Sequence, residues 1–151
     1  MIALTLADEA ATQALGRALA AALRPGDALC LTGPLGAGKS TLARALIRAL
    51  TTADQEVPSP TFTLVQIYEG PDFPVAHFDL YRLIDPDEAY ELGLDEALAD
   101  GAAVIEWPQR LQGRLPPDRL DIDISPIGDD GEARRATLVG HGSFEGRPLE
   151  L

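Results

Sequence analysis

Gly33-Pro34-Leu35-Gly36-Ala37-Gly38-Lys39-Ser40 follows directly on the apolar run Ala28-Leu29-Cys30-Leu31-Thr32 and leads into Thr41-Leu42-Ala43-Arg44-Ala45-Leu46-Ile47, where apolar residues recur at helical spacing. The octet fits the phosphate-loop pattern G-x-x-x-x-G-K-[ST] and stands where that loop must stand, between a strand and a helix. Gly36 and Gly38 allow backbone conformations that turn successive N–H groups toward one point, and the N-terminus of the next helix adds its partial positive charge. Lys39 has the reach for outer phosphates, and the Ser40 hydroxyl is a magnesium ligand by type. Of the twelve basic residues eleven are arginine, and the one lysine of the chain is Lys39. A compact ammonium on a threadable stem cannot be replaced at that point by a broad planar guanidinium.

Outward from the loop, the pattern reads as a three-layer α/β P-loop domain with a mixed sheet, spanning residues 1–151. Residues 2–6 form a short strand, and Asp8 caps a helix whose apolar face is Ala11, Leu15, Leu19 and Leu23. Pro25-Gly26-Asp27 turns the chain into residues 28–32, an uninterrupted apolar strand covered on both faces. Residues 39–50 are helical, and 51–60 form a loop. Strands over 61–68 and 75–80 pair as a hairpin across Glu69-Gly70-Pro71-Asp72. Short acidic helices over 85–92 and 95–99 precede an apolar strand over 102–106, which Pro108 stops. Leu120, Ile122 and Ile124 alternate with Asp121 and Asp123, as in a half-exposed antiparallel or edge strand, and residues 135–139 pair with it across Gly128-Asp129-Asp130-Gly131. Residues 141–151 are expected to be a loose tail.

A chain of 151 residues suits one domain, which at that size buries roughly 70% of the surface it would expose unfolded. No apolar run approaches the length needed to span a bilayer. The start, Met1-Ile2-Ala3-Leu4-Thr5-Leu6, lacks the basic and long apolar regions of a signal peptide, and the lone Cys30 has no disulfide or metal-site companion. Both features point to a reducing cytoplasm. A formal charge of −12 repels phosphate backbones, so contact with RNA is expected only through a partner.

A phosphate loop needs an acid at the end of a neighbouring strand to hold magnesium, directly or through water. Val75-Ala76-His77-Phe78-Asp79 and Ala103-Val104-Ile105-Glu106 both end in one, so Asp79 and Glu106 compete for the roles of metal ligand and water-orienting base. Ser59-Pro60-Thr61-Phe62 stands where other P-loop proteins put a threonine that senses the terminal phosphate. His77 reads as a structural histidine. Tyr81 and Arg82 suit either a site or a partner surface, and Trp107 suits either base stacking or a core cap. The chain holds no asparagine, hence no Asn-Lys-x-Asp guanine motif, which favours ATP.

Taken in order, Gly33 to Ser40, Ser59-Pro60-Thr61-Phe62, His77-Phe78-Asp79-Leu80-Tyr81-Arg82 and Ile105-Glu106-Trp107-Pro108 resemble the TsaE family, the ATPase subunits of the bacterial machinery for threonylcarbamoyladenosine in tRNA. The resemblance runs from about Asp8 to about Arg135. It implies ATP and Mg2+ as cofactors, Ser40 and Glu106 as the magnesium ligands, and Gly36, Ala37, Gly38, Lys39, Ser40 and Thr41 wrapped around the phosphates. It further implies that Asp79 and Lys39 are needed for hydrolysis, that Thr61 belongs to a switch-like loop, that Thr12 lies near the adenine, and that Arg134 or Arg135, with Arg135 preferred, approaches the nucleotide. The implied partners are TsaD and TsaB, with tRNA reached only through that complex and the transfer chemistry performed on TsaD. Two positions depart from the family pattern: Pro34 stands where an acidic residue is usual, and Ser40 where threonine is usual. Serine keeps the hydroxyl, and Pro34 removes an amide from the early half of the loop, away from the glycine-rich half that faces phosphate. The rival readings are a small-molecule kinase, which would use the same loop, and a nucleotide-binding module without hydrolysis.

Overall fold

The computed structural model describes residues 1–58, 64–128 and 131–151. In chain order its elements are β1 (Ile2–Leu6), α1 (Glu9–Ala22), β2 (Ala28–Thr32), α2 (Lys39–Leu50), β3 (Val65–Tyr68), β4 (Val75–Asp79), α3 (Asp87–Glu91), α4 (Leu94–Asp100), β5 (Ala102–Glu106), β6 (Arg119–Pro126) and β7 (Arg134–His141), with 3-10 turns at Pro108–Leu111 and Gly142–Phe144. The sheet order is β1-β7-β6-β2-β5-β4-β3. The central four, β6-β2-β5-β4, are mutually parallel. The flanking pairs β3–β4, β6–β7 and β1–β7 are antiparallel, so the sheet is mixed as expected.

Two apolar layers follow from the alternation of side chains along each strand. Leu29 and Leu31 of β2, with Ala102 and Val104 of β5, pack against Leu15 and Leu19 of α1 and Leu42 and Leu46 of α2. Ala28, Cys30, Ala103 and Ile105 point the other way, toward Ala89 of α3, Leu94 of α4 and Leu111. Strands buried on both faces read as continuous apolar runs, which is why β2 and β5 were plain in the sequence. On the first face α1 and α2 pack at a close approach: a Cβ added at Gly16 would lie 2.8 Å from the Leu42 carbonyl oxygen and 2.9 Å from the Ala45 Cβ.

Of the two alternatives for β6, the half-exposed antiparallel one holds: the strand is antiparallel to β7 and, on its other side, parallel to β2, so it lies inside the sheet. Its alternation reports which face is covered. The second apolar layer draws on β2, β4 and β5 and takes no residue from β6, so Asp121 and Asp123 face a side that α3 and α4 leave bare. There Asp121 pairs with Arg119 and His141, and Asp123 accepts a hydrogen bond from the Thr32 hydroxyl. The hairpin strand β3 begins at Val65, and residues 59–63 and 129–130 lie outside those described, as do Ser59-Pro60-Thr61-Phe62 and the centre of the β6–β7 turn.

The expectation of a loose tail over residues 141–151 is corrected. Phe144 is buried, Leu149 packs against the core, and Arg147 forms a buried ion pair with Asp27 at 2.6 Å. Asp27 lies 120 positions earlier, which local sequence patterns cannot reveal.

Cys30 is fully buried, as expected of a structural thiol. Burial, reinforced by the charge of Asp121 and opposed by Arg119, pushes its pKa from 9.0 to about 12. A raised thiol pKa means the unfolded chain ionises first. The cysteine therefore withdraws stability as pH climbs from 9.0 toward about 12. In native protein at pH 8, Cys30 is expected to react with an aromatic disulfide reagent at least about 10³-fold more slowly than in denatured protein, because thiolate is the reacting form. Spectrophotometric release of the reagent's thiolate, with and without denaturant, measures this.

Candidate functional site

β2 ends at Thr32, and the glycine loop turns the chain across the C-terminal ends of the parallel strands, the usual place for ligands in open α/β sheets. Gly33 has φ +144°, and a Cβ there would sit 2.1 Å from the Ile124 carbonyl oxygen, so only glycine can pass β6 at this point. Gly36 and Gly38 have φ of +79° and +104°, the conformations for which the octet's glycines were singled out. The two long helices begin differently. Asp8 caps α1, its Oδ1 accepting from the Ala11 amide at 2.8 Å. Gly38 starts α2 with no side-chain cap, which leaves its first amides open to an anion.

Those amides border a cleft of about 340 Å³ that brings together Thr12, Gly36, Gly38, Lys39, Ser40, Thr41, Asp79 and Glu106. The two acids come to lie side by side because β4 and β5 run parallel in a register that opposes Asp79 to Glu106, and the Leu80 amide donates to the Glu106 carbonyl at 3.1 Å. Both carboxylates are more than nine-tenths buried. Asp79 Oδ1 accepts from the Tyr81 amide at 3.1 Å, and Glu106 Oε2 meets His77 Nε2 at 2.6 Å.

Lys39 is also buried, its Nζ donating to the Gly33 carbonyl at 2.6 Å and lying 3.9 Å from the centre of the Trp107 ring. Desolvation lowers its pKa, against the raising pull of Glu106 and then Asp79. Trp107 reaches this position because the chain leaves β5 in a left-handed conformation, φ +60°, uncommon for a residue with a Cβ. Tyr81 leans on the indole at 4.9 Å between ring centres. The indole therefore covers the lysine of the loop, rather than simply capping the core.

Ala37, expected beside the phosphates, is buried and does not line the cleft, but its carbonyl accepts from Arg134 Nε at 2.9 Å. Arg134 also donates to the Gly36 carbonyl at 3.3 Å and lines the cleft. Of the two arginines it is thus Arg134 that borders the cleft, whereas Arg135 is exposed and not among the lining residues. A one-residue step along a strand reverses the face. Ala136 and Leu138 point to the α1–α2 side, and Arg134 shares their parity, a signal that was present in the sequence. Glu9, Glu132 and Trp107 also line the cleft; Glu9 belongs to the same N-terminal segment as Thr12, whereas no sequence motif singles out Glu132. The Pro34 carbonyl accepts from the Ala37 amide at 3.2 Å and closes the turn, a bond that does not need the amide proline lacks. Thr61 lies outside the described residues.

The donor set suits a small hard cation bound together with a polyanion. Among the described residues no group of three or more His, Cys, Asp or Glu side chains could hold a metal by itself. Magnesium typically takes one or two protein oxygens and completes its shell with phosphate and water. A serine hydroxyl and a carboxylate at the mouth of an uncapped helix fit that habit.

Comparison with known proteins shows the family of the chain and agrees with its fold. The family model described as threonylcarbamoyl adenosine biosynthesis protein TsaE matches residues 6–136. A Bacillus subtilis protein named tRNA threonylcarbamoyladenosine biosynthesis protein TsaE is 39% identical over 131 residues, covering 86% of this chain and 81% of its own. A Streptomyces coelicolor protein of that name is 42% identical over 135 residues, covering 85% and 89%. The crystal structure of YdiB from Bacillus superposes with a TM-score of 0.77 at 31% identity, over 96% of this chain and 89% of that one. Loop, acids and sheet order thus occur in a chain that matches this family over most of its length: it belongs to the TsaE family.

Proposed function

We propose that this chain binds ATP with magnesium and hydrolyses it as a subunit supporting threonylcarbamoyladenosine modification of tRNA, in a cytoplasmic complex with TsaD and TsaB, without performing the transfer itself. The observation that carries the hydrolytic part is the convergence of Lys39, Asp79 and Glu106 on the uncapped start of α2 within one cleft. The amides of Gly38 to Ser40 and the Lys39 ammonium would bind and orient the phosphates, while Ser40 and Glu106 would hold the metal. Magnesium, when bound, neutralises charge that develops on the phosphoryl oxygens. Asp79, tied through Oδ1 to the Tyr81 amide, is set to orient the attacking water. Thr12 and Arg134 would border the nucleoside side, and Trp107 with Tyr81 would shield the lysine from bulk water. Thr61 is proposed as the switch residue on the resemblance alone. The part in tRNA modification rests on the family and on the names its relatives carry.

The expected behaviour is slow basal hydrolysis that TsaD and TsaB accelerate, with nucleotide-dependent co-purification of the three proteins. A kinase would instead consume ATP faster when a small acceptor is supplied. Glu106→Gln is expected to lower magnesium-dependent phosphate release by at least about 100-fold, the scale of losing one preorganised charge-stabilising group. Malachite-green assays with and without partners check this. Release by the variant at wild-type rate would remove Glu106 from the site.

A further inference from the structure

His77 is buried, and among the described residues its imidazole has one polar contact, Glu106. Val75, His77 and Asp79 share one face of β4, while Ala102, Val104 and Glu106 share the same face of β5. The register opposes His77 to Val104 and Asp79 to Glu106, so the imidazole lies one two-residue step back from the carboxylate, on its buried side. Nε2 reaches Oε2 at 2.6 Å, and Nδ1 is buried without a hydrogen-bond partner among the described residues. That asymmetry selects a tautomer. With the proton on Nε2, the ring donates to the carboxylate and leaves only a lone pair at the buried Nδ1; a proton on Nδ1 would be a buried donor with no acceptor among the described residues.

A carboxylate that must present one oxygen to a cation works best when its other oxygen is fixed, and hydrogen bonds to ligating carboxylates serve this purpose. Oε2 is taken up by His77 on the buried side, while Glu106 lines the cleft on the other. We propose that His77 is a positioning residue: its Nε2–H clamps Oε2 of Glu106 and aims Oε1 at the magnesium of the bound nucleotide. The proposal rests on the reading of Glu106 as a magnesium ligand. A histidine serving only to satisfy a buried acid would leave metal affinity unaltered once the protein is folded.

The test compares donors of different reach in the full-length chain. In His77→Gln the side-chain amide nitrogen falls near the place of Nε2, whereas in His77→Asn it falls near Nδ1 and stops short of Glu106. Calorimetric titration of ADP at stepped magnesium concentrations gives the magnesium midpoint for each variant, with titration in EDTA as the metal-free reference and thermal melts as the folding control. His77→Asn is expected to raise the midpoint 10- to 100-fold. His77→Gln should stay within about threefold of wild type, and metal-free ADP affinity should be alike in all. Equal midpoints for the Gln and Asn variants, or a wild-type midpoint in His77→Asn where Glu106→Gln shifts it, would overturn the positioning role. A Glu106→Gln midpoint equal to wild type would overturn the underlying assignment of Glu106 instead, and the proposal with it. If His77→Asn does not fold, His77→Met, an apolar side chain of similar length, carries the same expectation.

Discussion

Replacing Lys39 with alanine is expected to bring magnesium-dependent ATP hydrolysis down by at least 10²- to 10³-fold, on the order of 3 to 4 kcal/mol of transition-state stabilisation, while leaving the circular dichroism spectrum unchanged. The lysine is the only one in the chain, so no second lysine can substitute for it. Its surroundings are arranged around its shape. Nζ lies between the Gly33 carbonyl at 2.6 Å and the Trp107 ring at 3.9 Å, a slot that admits a single compact nitrogen. Lys39→Arg should therefore be nearly as inactive as Lys39→Ala, although charge is retained, because a planar fork cannot occupy that slot and also reach phosphate. A pH signature accompanies the loss. Burial lowers the lysine's pKa, so between that lowered value and the ordinary lysine range the unfolded chain holds more protons than the folded one. Stability of the nucleotide-free protein then rises with pH through that window, and Lys39→Met should lack the rise. Single-turnover phosphate release and melting curves at several pH values read both effects. Retention of more than a tenth of wild-type hydrolysis in Lys39→Ala would contradict the role given to this residue.

How much of this site could be read beforehand depended on the range of the signal involved. The glycine loop, β2 and α2 are contiguous, and their pattern is local: an apolar run, glycines at fixed offsets, then helical spacing. Asp79 and Glu106 were visible as strand-end acids, yet which strand neighbours which is a property of the sheet. The His77–Glu106 contact exists only because β4 lies against β5 in one particular register. His77 was read as structural, and its partner could not be named. Arg134 and Arg135 show a finer limit. Two adjacent arginines look alike until the parity of Ala136 and Leu138 is applied to them, and that parity says which one faces the loop. The aspartates of β6 left two alternatives open for a physical reason: alternation reports that one face is wet, and an interior antiparallel strand beneath an uncovered half-face is as wet there as an edge.

Removing the Arg147 side chain is expected to cost about 3–5 kcal/mol of stability, the range for breaking a buried ion pair from one side, and to lower the melting temperature by roughly 10 °C. Both partners are nearly closed to water, with side-chain exposures of 6% for Arg147 and 3% for Asp27. Asp27 is held from three directions: its Oδ2 accepts from the Arg24 amide at 2.7 Å and from Arg147 Nη1 at 2.6 Å, and its Oδ1 accepts from the Ser143 hydroxyl at 2.9 Å. Arg147 Nη1 also donates to the Ala22 carbonyl at 3.0 Å, satisfying an acceptor at the end of α1, and the guanidinium lies 4.2 Å from the centre of the Phe144 ring. The C-terminal segment thus fastens the turn between α1 and β2. Arg147→Ala would strand a buried carboxylate, whereas Asp27→Asn combined with Arg147→Met removes both charges and should recover part of the loss. The strap joins β2 at its N-terminal end and the glycine loop leaves from its C-terminal end, five residues or roughly 17 Å away. Nucleotide affinity of the folded variant should accordingly stay within about twofold of wild type. Denaturant titrations give the stability difference and calorimetry the affinity, and a large loss of affinity without loss of stability would mean that the strap acts on the cleft rather than on the fold.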